Sequence, residues 1–381
     1  MNREQLLEYD WDYLLTFFPP PDELDRTAFE MGALRRKRNI KSASTLLRLA
    51  FAYGFMGMSL RETAAWAEVA DIASVSDVAL MKRLRSASDW LGYLLSYKLA
   101  ERASPPSVRL NKKRLRLVDA TTVSKPGSTG TDWRIHMGFC LQSLAIDFVK
   151  LTDNSIGETL LRFPVTPDDI IIGDRGYAHR KGFQKVVASN ADFIIRLNWQ
   201  NVPLLDETGK KFDLLGYLRS LPDAQVNDVD VTIKPLAHNA SPIKSRLVAV
   251  RKSEAAAAEA RQKVMKSRSK KGRSIDPRTL EAAGYIFVLT SLSQDSIRAD
   301  AVLDLYRFRW QIELAFKRMK SLMSLGELPV RDPPLARSYL YTKLLGALLI
   351  EDFTQEFLCF SPWGFRMYPN SFPLAHSKSI G

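Results

Sequence analysis

The chain has 381 residues, a formal net charge of +13 and a hydrophobic content of 46%, with an isoelectric point near 9.6. This length predicts two or three domains and a core large enough to need no disulfide or structural metal. The basic balance points to a polyanionic partner. No apolar run approaches the roughly 18 residues of a membrane helix, and the opening MNREQLLEYDWDYLL has no signal-peptide core, so nucleic acid is expected and a membrane is not. Cys140 and Cys359 are too few and too far apart for a disulfide framework. His136, His179, His238 and His376 are scattered, with no zinc spacing, and no phosphate-binding GxxxxGK[ST] loop occurs.

Residues 1–30 are acid-rich and end in the Pro-rich break FFPPPDE, after which RRKR at 35–38 reverses the sign. From 42 to 98 the pattern is helical. SASTLLRLAFAYGFM gives one apolar helix. SLRETAAWAEVA gives a second, with Ser59 and Glu62 placed as a capping box. VSDVALMKRLRSASDWLGYLL follows, started by Ser76. Short helices, tight joints and a basic third element fit a helix-turn-helix unit that contacts DNA. They also fit a plain helical bundle.

A linker, RASPPSVRLNKK, leads into a different pattern. RLRLVDATTV (114–123) alternates and is β-branched, so it is expected as a strand. WRIHMGFCLQS and LAIDFVKLT predict two more strands after the turn PGSTG, completing a meander. IIIGD (170–174) has the composition of a buried central strand, AHRKGFQKVVASN suits a helix, and ADFIIRLN (191–198) is another buried strand. The sum is a mixed α/β sheet. DVDVTIK (228–234) and SRLVAVRKS (245–253) predict antiparallel strands. AAAAEARQKVMKSRSKKGR predicts a helix running into a basic tail, with eight cations between 261 and 278 against Asp276 alone. That run is either a solvated face or a phosphate-contact surface. YIFVLTSL (285–292) returns to strand composition. Helices follow, through YRFRWQIELAFKRMK (306–320) and LARSYLYTKLLGALLIEDFTQEFL. The tail from Cys359 is assigned no structure.

Three acids sit in unusual company. Asp119 lies inside RLRLVDATTV and Asp174 ends IIIGD. A carboxylate in buried-strand surroundings is costly unless compensated, by an Arg partner or by a divalent cation with hard oxygen ligands such as Mg²⁺ or Mn²⁺. Glu313 is the sole acid among five cations of YRFRWQIELAFKRMK. On a continuous helix of 100° per residue, Tyr306, Arg309, Glu313, Lys317 and Lys320 fall within about 80° of one another, with Trp310 beside them. Phe308, Ile312, Ala315, Phe316 and Met319 form the expected buried face. A surface helix with a Glu313–Lys317 pair would leave the Tyr and Trp on that side unexplained. Phosphodiester cleavage and transfer needs such a set. Carboxylates hold two cations about 3.5–4 Å apart, Arg and Lys grip phosphates, and an aromatic stacks on an unpaired base.

The spacing Tyr306-(2)-Arg309-(3)-Glu313-(6)-Lys320 resembles the Y-R-E-K signature of the insertion-sequence-4-type (DDE) bacterial transposases. DATT around Asp119, GDRGY around Asp174, VLTSL and GETLLRF (157–163) resemble further motifs of that family, in its order, over roughly residues 110–350. The resemblance implies a ribonuclease H-like mixed-sheet core interrupted by a β-rich insertion, with an N-terminal helical domain. It implies a helical DNA-binding domain over 1–105, core segments over 106–200 and 284–358, the insertion over 201–283 and a tail over 359–381.

It further implies that Asp119, Asp174 and Glu313 are catalytic and bind two Mg²⁺ or Mn²⁺ ions, with Asp119 bridging them. Tyr306, Arg309 and Lys320 would contact phosphates near the transposon end, Lys317 would lie beside them, and Trp310 would stack on a displaced base. Trp199 is a second stacking candidate, set against an ordinary core or loop role. The expected activity is cut-and-paste DNA transposition, by cleavage and strand transfer, performed by a homodimer on double-stranded DNA. The partners are the terminal inverted repeats and the target, and the setting is a bacterial cytoplasm at the nucleoid. A nuclease of the same fold without strand transfer, and a catalytically silent DNA-binding derivative, stand as alternatives.

Overall fold

The computed structural model describes residues 10–102, 113–128, 130–143, 145–237, 241–269 and 274–359. The linker before Lys113, the centre of the basic tail (270–273), His238 and His376, and the C-terminal tail from 360 lie outside the described residues.

Among the described residues the chain starts helical over 10–15 and continues through α1 (Pro21–Glu30), α2 (Ala43–Gly54), α3 (Leu60–Val69), α4 (Asp77–Ser86) and α5 (Ser88–Arg102). Their starts are set by local chemistry. The Ser59 hydroxyl accepts from Glu62 N at 3.2 Å, and the Glu62 carboxylate accepts from Ser59 N at 2.8 Å, so the expected capping box forms. Ser42 and Ser76 cap α2 and α4 with their hydroxyls alone, accepting from Thr45 N and Ala79 N. α2 is buried almost all round, so it is the centre of the bundle. The last described helix, α12 (Pro333–Cys359), returns to pack along α2, α4 and α5. A methyl group at Gly346 would stand 2.1 Å from the Phe55 ring, so only glycine permits this approach.

The strands are β1 (Arg114–Val123), β2 (Trp133–Cys140), β3 (Ala145–Asp153), β4 (Asp169–Gly173), β5 (Asp192–Arg196), β6 (Leu204–Leu205), β7 (Asn227–Ile233), β8 (Ile243–Arg251) and β9 (Tyr285–Thr290). They make one nine-stranded sheet in the order β3-β2-β1-β4-β5-β9-β8-β7-β6. β1, β2 and β3 form the expected antiparallel meander. β4 pairs parallel with β1 and with β5, and helix α6 (Arg180–Ala188) makes the crossover between them. Every residue of β4 is buried, as its IIIG run demands. The strands of segment 201–283 continue this same sheet, because β8 pairs antiparallel with β9.

Alternate side chains send the sheet into two hydrophobic layers. Leu115, Leu117, Ile170, Ile172 and Ile194 join the N-terminal helices, α10 (Ala299–Arg307), α11 (Trp310–Met323) and α12. Val118, Ile171, Phe193 and Ile195 join Phe163, Tyr177 and Phe183 on the other face, near α6 and α7 (Leu214–Ser220). The two remaining helices, α8 (Glu254–Ser269) and α9 (Pro277–Ala282), precede β9. The result is the expected mixed α/β architecture, consistent with a ribonuclease H-like core. Among the described residues no helix is long and apolar enough to cross a membrane.

One expectation fails. The stretch 306–320 is not a continuous helix: α10 ends at Arg307 and α11 starts at Trp310. Between them Phe308 N bonds to Leu305 O at 3.2 Å, Arg309 N to Tyr306 O at 3.0 Å and Gln311 N to Phe308 O at 2.9 Å. These three-residue bonds wind the chain by about 120° per residue rather than 100°, so the regular projection slips there. Phe308, expected in the buried face, is 43% exposed, whereas Ile312, Phe316 and Met319 are buried. No Pro or Gly marks the break. Its two sides answer to different partners, since α10 packs on β4, β5 and β8 while α11 packs on β1.

Candidate active site

Two acids lie side by side where the parallel pairing of β1 and β4 ends. Val118 of β1 pairs with Gly173 of the parallel strand β4, and Asp119 and Asp174 are the next residue of each. Carboxyl ends of adjacent parallel strands are where α/β sheets place their ligands. Asp119 lies two residues beyond Leu117 and so shares its face, the one that meets α11. Glu313 sits in the first turn of α11, where the helix N-terminus favours a carboxylate. The other end of α11 is fixed from the helical bundle. Ser324 ends it in the left-handed conformation, and the buried Lys343 of α12 donates to Met323 O.

Asp119, Thr121, Glu313, Phe316, Lys317 and Lys320 line one cavity of about 520 Å³. Asp174 lines a second, of about 850 Å³, with Glu158, Arg175, Arg196, Trp199 and Lys252 among its walls. Arg309 joins the two groups. Its Nη1 donates to Glu313 Oε1 at 2.5 Å, four residues along, so Glu313 pairs with Arg309 rather than in the Glu313–Lys317 pair of a plain surface helix. Its guanidinium lies 5.7 Å from the Tyr306 ring centre, and its charge acts on both Asp119 and Asp174. Burial alone would weaken that charge. Tyr306, Glu313 and Asp174 outweigh burial and hold Arg309 more firmly protonated. Arg309 Nε is buried without a hydrogen-bond partner among the described residues.

The acids differ in surroundings. Burial pushes the Asp119 carboxyl up to about 6; Glu158 and Glu313 add to the rise, while the Ala120 N–H at 2.8 Å and Arg309 oppose it. Burial also raises Glu158, with Arg134 and His179 opposing and Asp174 adding. Glu313 is half-exposed on its side chain, at 53%. Tyr306 donates from its hydroxyl to Asp174 Oδ1 at 3.4 Å, and burial followed by Asp174 raises its pKa.

Each sequence-predicted residue has a definite place. Asp119, Glu313, Lys317 and Lys320 share one cavity, Asp174 lines the other, and Tyr306 and Arg309 stand between. Trp310, 50% exposed, lines neither cavity. Trp199 is partly buried in the loop after β5, with the Arg278 guanidinium 5.3 Å from its ring centre. Among the described residues, no three acid, His or Cys side chains stand together as a ready-made metal cluster. Sequence reasoning gave no role to Glu158, Arg196, Lys252 or Lys343. For Glu158 the motif GETLLRF was the available signal. The other three carry no local mark.

Residues 110–349 match the family model described as a transposase DDE domain. The chain is 42% identical over 357 residues to the transposase for insertion sequence element IS421 of Escherichia coli, covering 93% of this chain and 96% of that protein. It is equally similar, 42% over 356 residues with the same coverage, to the InsL protein for insertion sequence element IS186A of Escherichia coli strain K12. The transposase for insertion sequence element IS231D of Bacillus thuringiensis subsp. finitimus is 24% identical over 367 residues, covering 86% of this chain and 76% of that protein. Neighbouring acids where the parallel pairing of β1 and β4 ends, a third acid facing one of them and this shared sequence all agree: the chain belongs to the DDE transposases, the metal-dependent enzymes of DNA transposition.

Proposed function

We propose that Asp119, Asp174 and Glu313 are the three carboxylates of this transposase's metal centre, and that it cuts and joins DNA at the inverted repeats of its own element. One observation carries the reading. Two carboxylates lie side by side where the parallel pairing of β1 and β4 ends, and Glu313 faces one of them across a cavity rimmed by Lys317 and Lys320. The donor set fits Mg²⁺ or Mn²⁺. The oxygens are hard, and Asp119 is crowded by burial and by like charges that a cation would relieve. Arg309 supplies one positive charge among these acids. Two bound divalent ions would stabilise the charge that develops on the attacking and leaving oxygens.

The remaining steps belong to the chain's own side chains. Lys317 and Lys320 hold a phosphate beside Asp119, which fixes the scissile strand across the cavity. Arg309 turns part of its guanidinium fork to a neighbouring phosphate, which frees Glu313 as a ligand. Tyr306 keeps Asp174 in place through its hydroxyl. Trp310, exposed next to Arg309, is the surface on which a displaced base stacks. The helices of residues 1–105 recognise the repeat, the basic segment 261–278 adds phosphate contacts, and two copies hold two ends. The strands of 201–283 widen the sheet beside Asp174.

The test uses DNA carrying the element's own ends. With Mg²⁺ the wild type should cleave those ends and join a pre-cleaved 3′ end to target DNA. Asp119→Asn, Asp174→Asn and Glu313→Gln should each bind the ends yet lose cleavage by at least about a thousandfold. Mg²⁺-dependent cleavage retained by Glu313→Gln would sink the assignment. Cleavage without joining would identify a nuclease.

A further inference from the structure

Glu158 is a fourth carboxylate in this neighbourhood and has no assigned task. It lies on the loop between β3 and a short 3₁₀ turn, Leu160–Arg162. The loop is pinned on both sides. Arg134 Nη1 donates to Ile156 O at 2.6 Å, and Thr159 Oγ1 accepts from Leu161 N at 3.2 Å. Leu160 and Phe163 are buried, and the Phe163 ring packs on Phe148 and Tyr177, with centres 5.1 Å and 5.9 Å away. Glu158 is therefore placed by the core rather than left to roam.

Its carboxylate is directed at the turn that carries Asp174. A methyl group on Gly176 would stand 2.1 Å from Glu158 Oε2, so the second glycine of GDRGY leaves the space in which this carboxylate sits. Glu158 and Asp174 line the same cavity. The charge of Glu158 also reaches Asp119. Among the described residues no hydrogen bond or ion pair engages its carboxylate. A half-buried acid, sharing a cavity with Asp174, acting by charge on Asp119 and left without a donor, has no evident structural purpose. Its lone pairs are free for donors that arrive with a ligand, such as the water molecules around a divalent cation.

We propose that Glu158 is a positioning residue of the metal centre: its carboxylate, seated against Gly176 in the cavity that Asp174 lines, accepts hydrogen bonds from the hydration shell of a divalent cation held by Asp174. This rests on the reading of Asp174 as a metal ligand. The partner group is aqua-Mg²⁺ or aqua-Mn²⁺, and the expected consequence is tighter and better oriented metal binding on the Asp174 side.

The experiment is a titration of the full chain with Mn²⁺ alone, following the signal of free Mn²⁺ by electron paramagnetic resonance. Thermal unfolding is measured alongside, with EDTA and with Mn²⁺. Glu158→Gln should raise the Mn²⁺ concentration at half-saturation about tenfold. Gly176→Ala, which fills the seat of the carboxylate, should raise it similarly, and Asp174→Asn should raise it most. In EDTA, Glu158→Gln should melt at or above the wild-type temperature, because one of several crowded like charges has gone. Its Mn²⁺-induced rise in melting temperature should be smaller than that of the wild type. If Glu158→Gln and Gly176→Ala bind Mn²⁺ as the wild type does while Asp174→Asn binds weakly, the role of Glu158 is overturned. A melting temperature lowered in EDTA with an unchanged Mn²⁺ curve also overturns it, since that marks a structural carboxylate. If Asp174→Asn binds as tightly as the wild type, the metal centre itself falls, and the role of Glu158 with it.

Discussion

Strand β1 carries buried charge near its start and in its middle, and the two places treat it differently. Near its start, Arg114 Nε bonds to Asp169 Oδ1 at 2.6 Å and Arg116 Nε to Asp147 Oδ2 at 2.8 Å. Thr166 N adds a bond to Asp169 Oδ2 at 2.9 Å. Two cations meet two acids, all of them largely buried, and the charges balance. In its middle Asp119 is also buried, but its carboxylate accepts only the Ala120 N–H at 2.8 Å, while Arg309 bonds to Glu313 and acts on Asp119 through its charge alone. Both places hide carboxylates. Only the second leaves a buried one without a bonded cation. An acid lacking a bonded partner, rather than burial of charge, is what separates a site from a structural brace. A brace is complete without a ligand, and an unpaired acid is completed by one.

The largest effect expected from this contrast concerns stability. Asp169→Asn leaves Arg114 buried and half-paired, so it should destabilise the fold by about 3–5 kcal/mol in urea unfolding. Asp119→Asn should do the reverse. The folded pKa of Asp119, near 6, lies above its ordinary value of 3.8. The stability tied to its protonated form is therefore present below pH 4 and lost as pH rises through 6. Asparagine escapes that loss. In EDTA the variant should be more stable than the wild type by about 1–3 kcal/mol above pH 7, with no gain near pH 4. A destabilised Asp119→Asn at neutral pH would show that its part of β1 is also a brace.

Arg309 tests the same acids from the other side. Removing its charge should increase the attraction of the acids for a cation. Arg309→Gln should bind Mn²⁺ more tightly than the wild type in the absence of DNA, by about tenfold, which corresponds to about 1.4 kcal/mol. The same variant should bind the element's ends more weakly, because a phosphate donor is gone. Equal Mn²⁺ affinity in the two proteins would mean that Arg309 does not compete for the site.

The legible parts of this molecule are those set by local burial. RLRLVDATTV coincides with β1, and IIIGD predicted β4 with Asp174 just past its end, because alternating or continuous apolar residues report directly on what a strand faces. Ser59 and Glu62 announced the start of α3 for the same local reason. The illegible parts depend on distant partners. The break at Phe308–Arg309 has no Pro or Gly; it arises where α10 and α11 answer to different strands. The pairing of β8 with β9 joins segments that periodicity cannot order. The hold of Lys343 on the end of α11 links residues 20 positions apart across two helices. Glu158 lies on a loop, where no period reports direction, and its place against Gly176 is visible only in three dimensions.

The smallest effect belongs to the rim. Lys320 is exposed and stands beside the cavity that holds Asp119 and Glu313, with no ion pair among the described residues. It should contribute one phosphate contact and little else. Lys320→Ala should leave thermal stability within about 0.5 kcal/mol of the wild type, since an exposed and unpaired cation supports no packing. End binding should weaken, and the slope of log affinity against log salt should fall by about one unit, as expected when one released counterion is lost. The slope is the more telling quantity, because a general loss of fold would weaken binding without shifting it by one contact. An unchanged slope would remove Lys320 from the DNA surface. It would also leave Lys317 as the cation to test on the Glu313 side, where the balance between acids and grip is set.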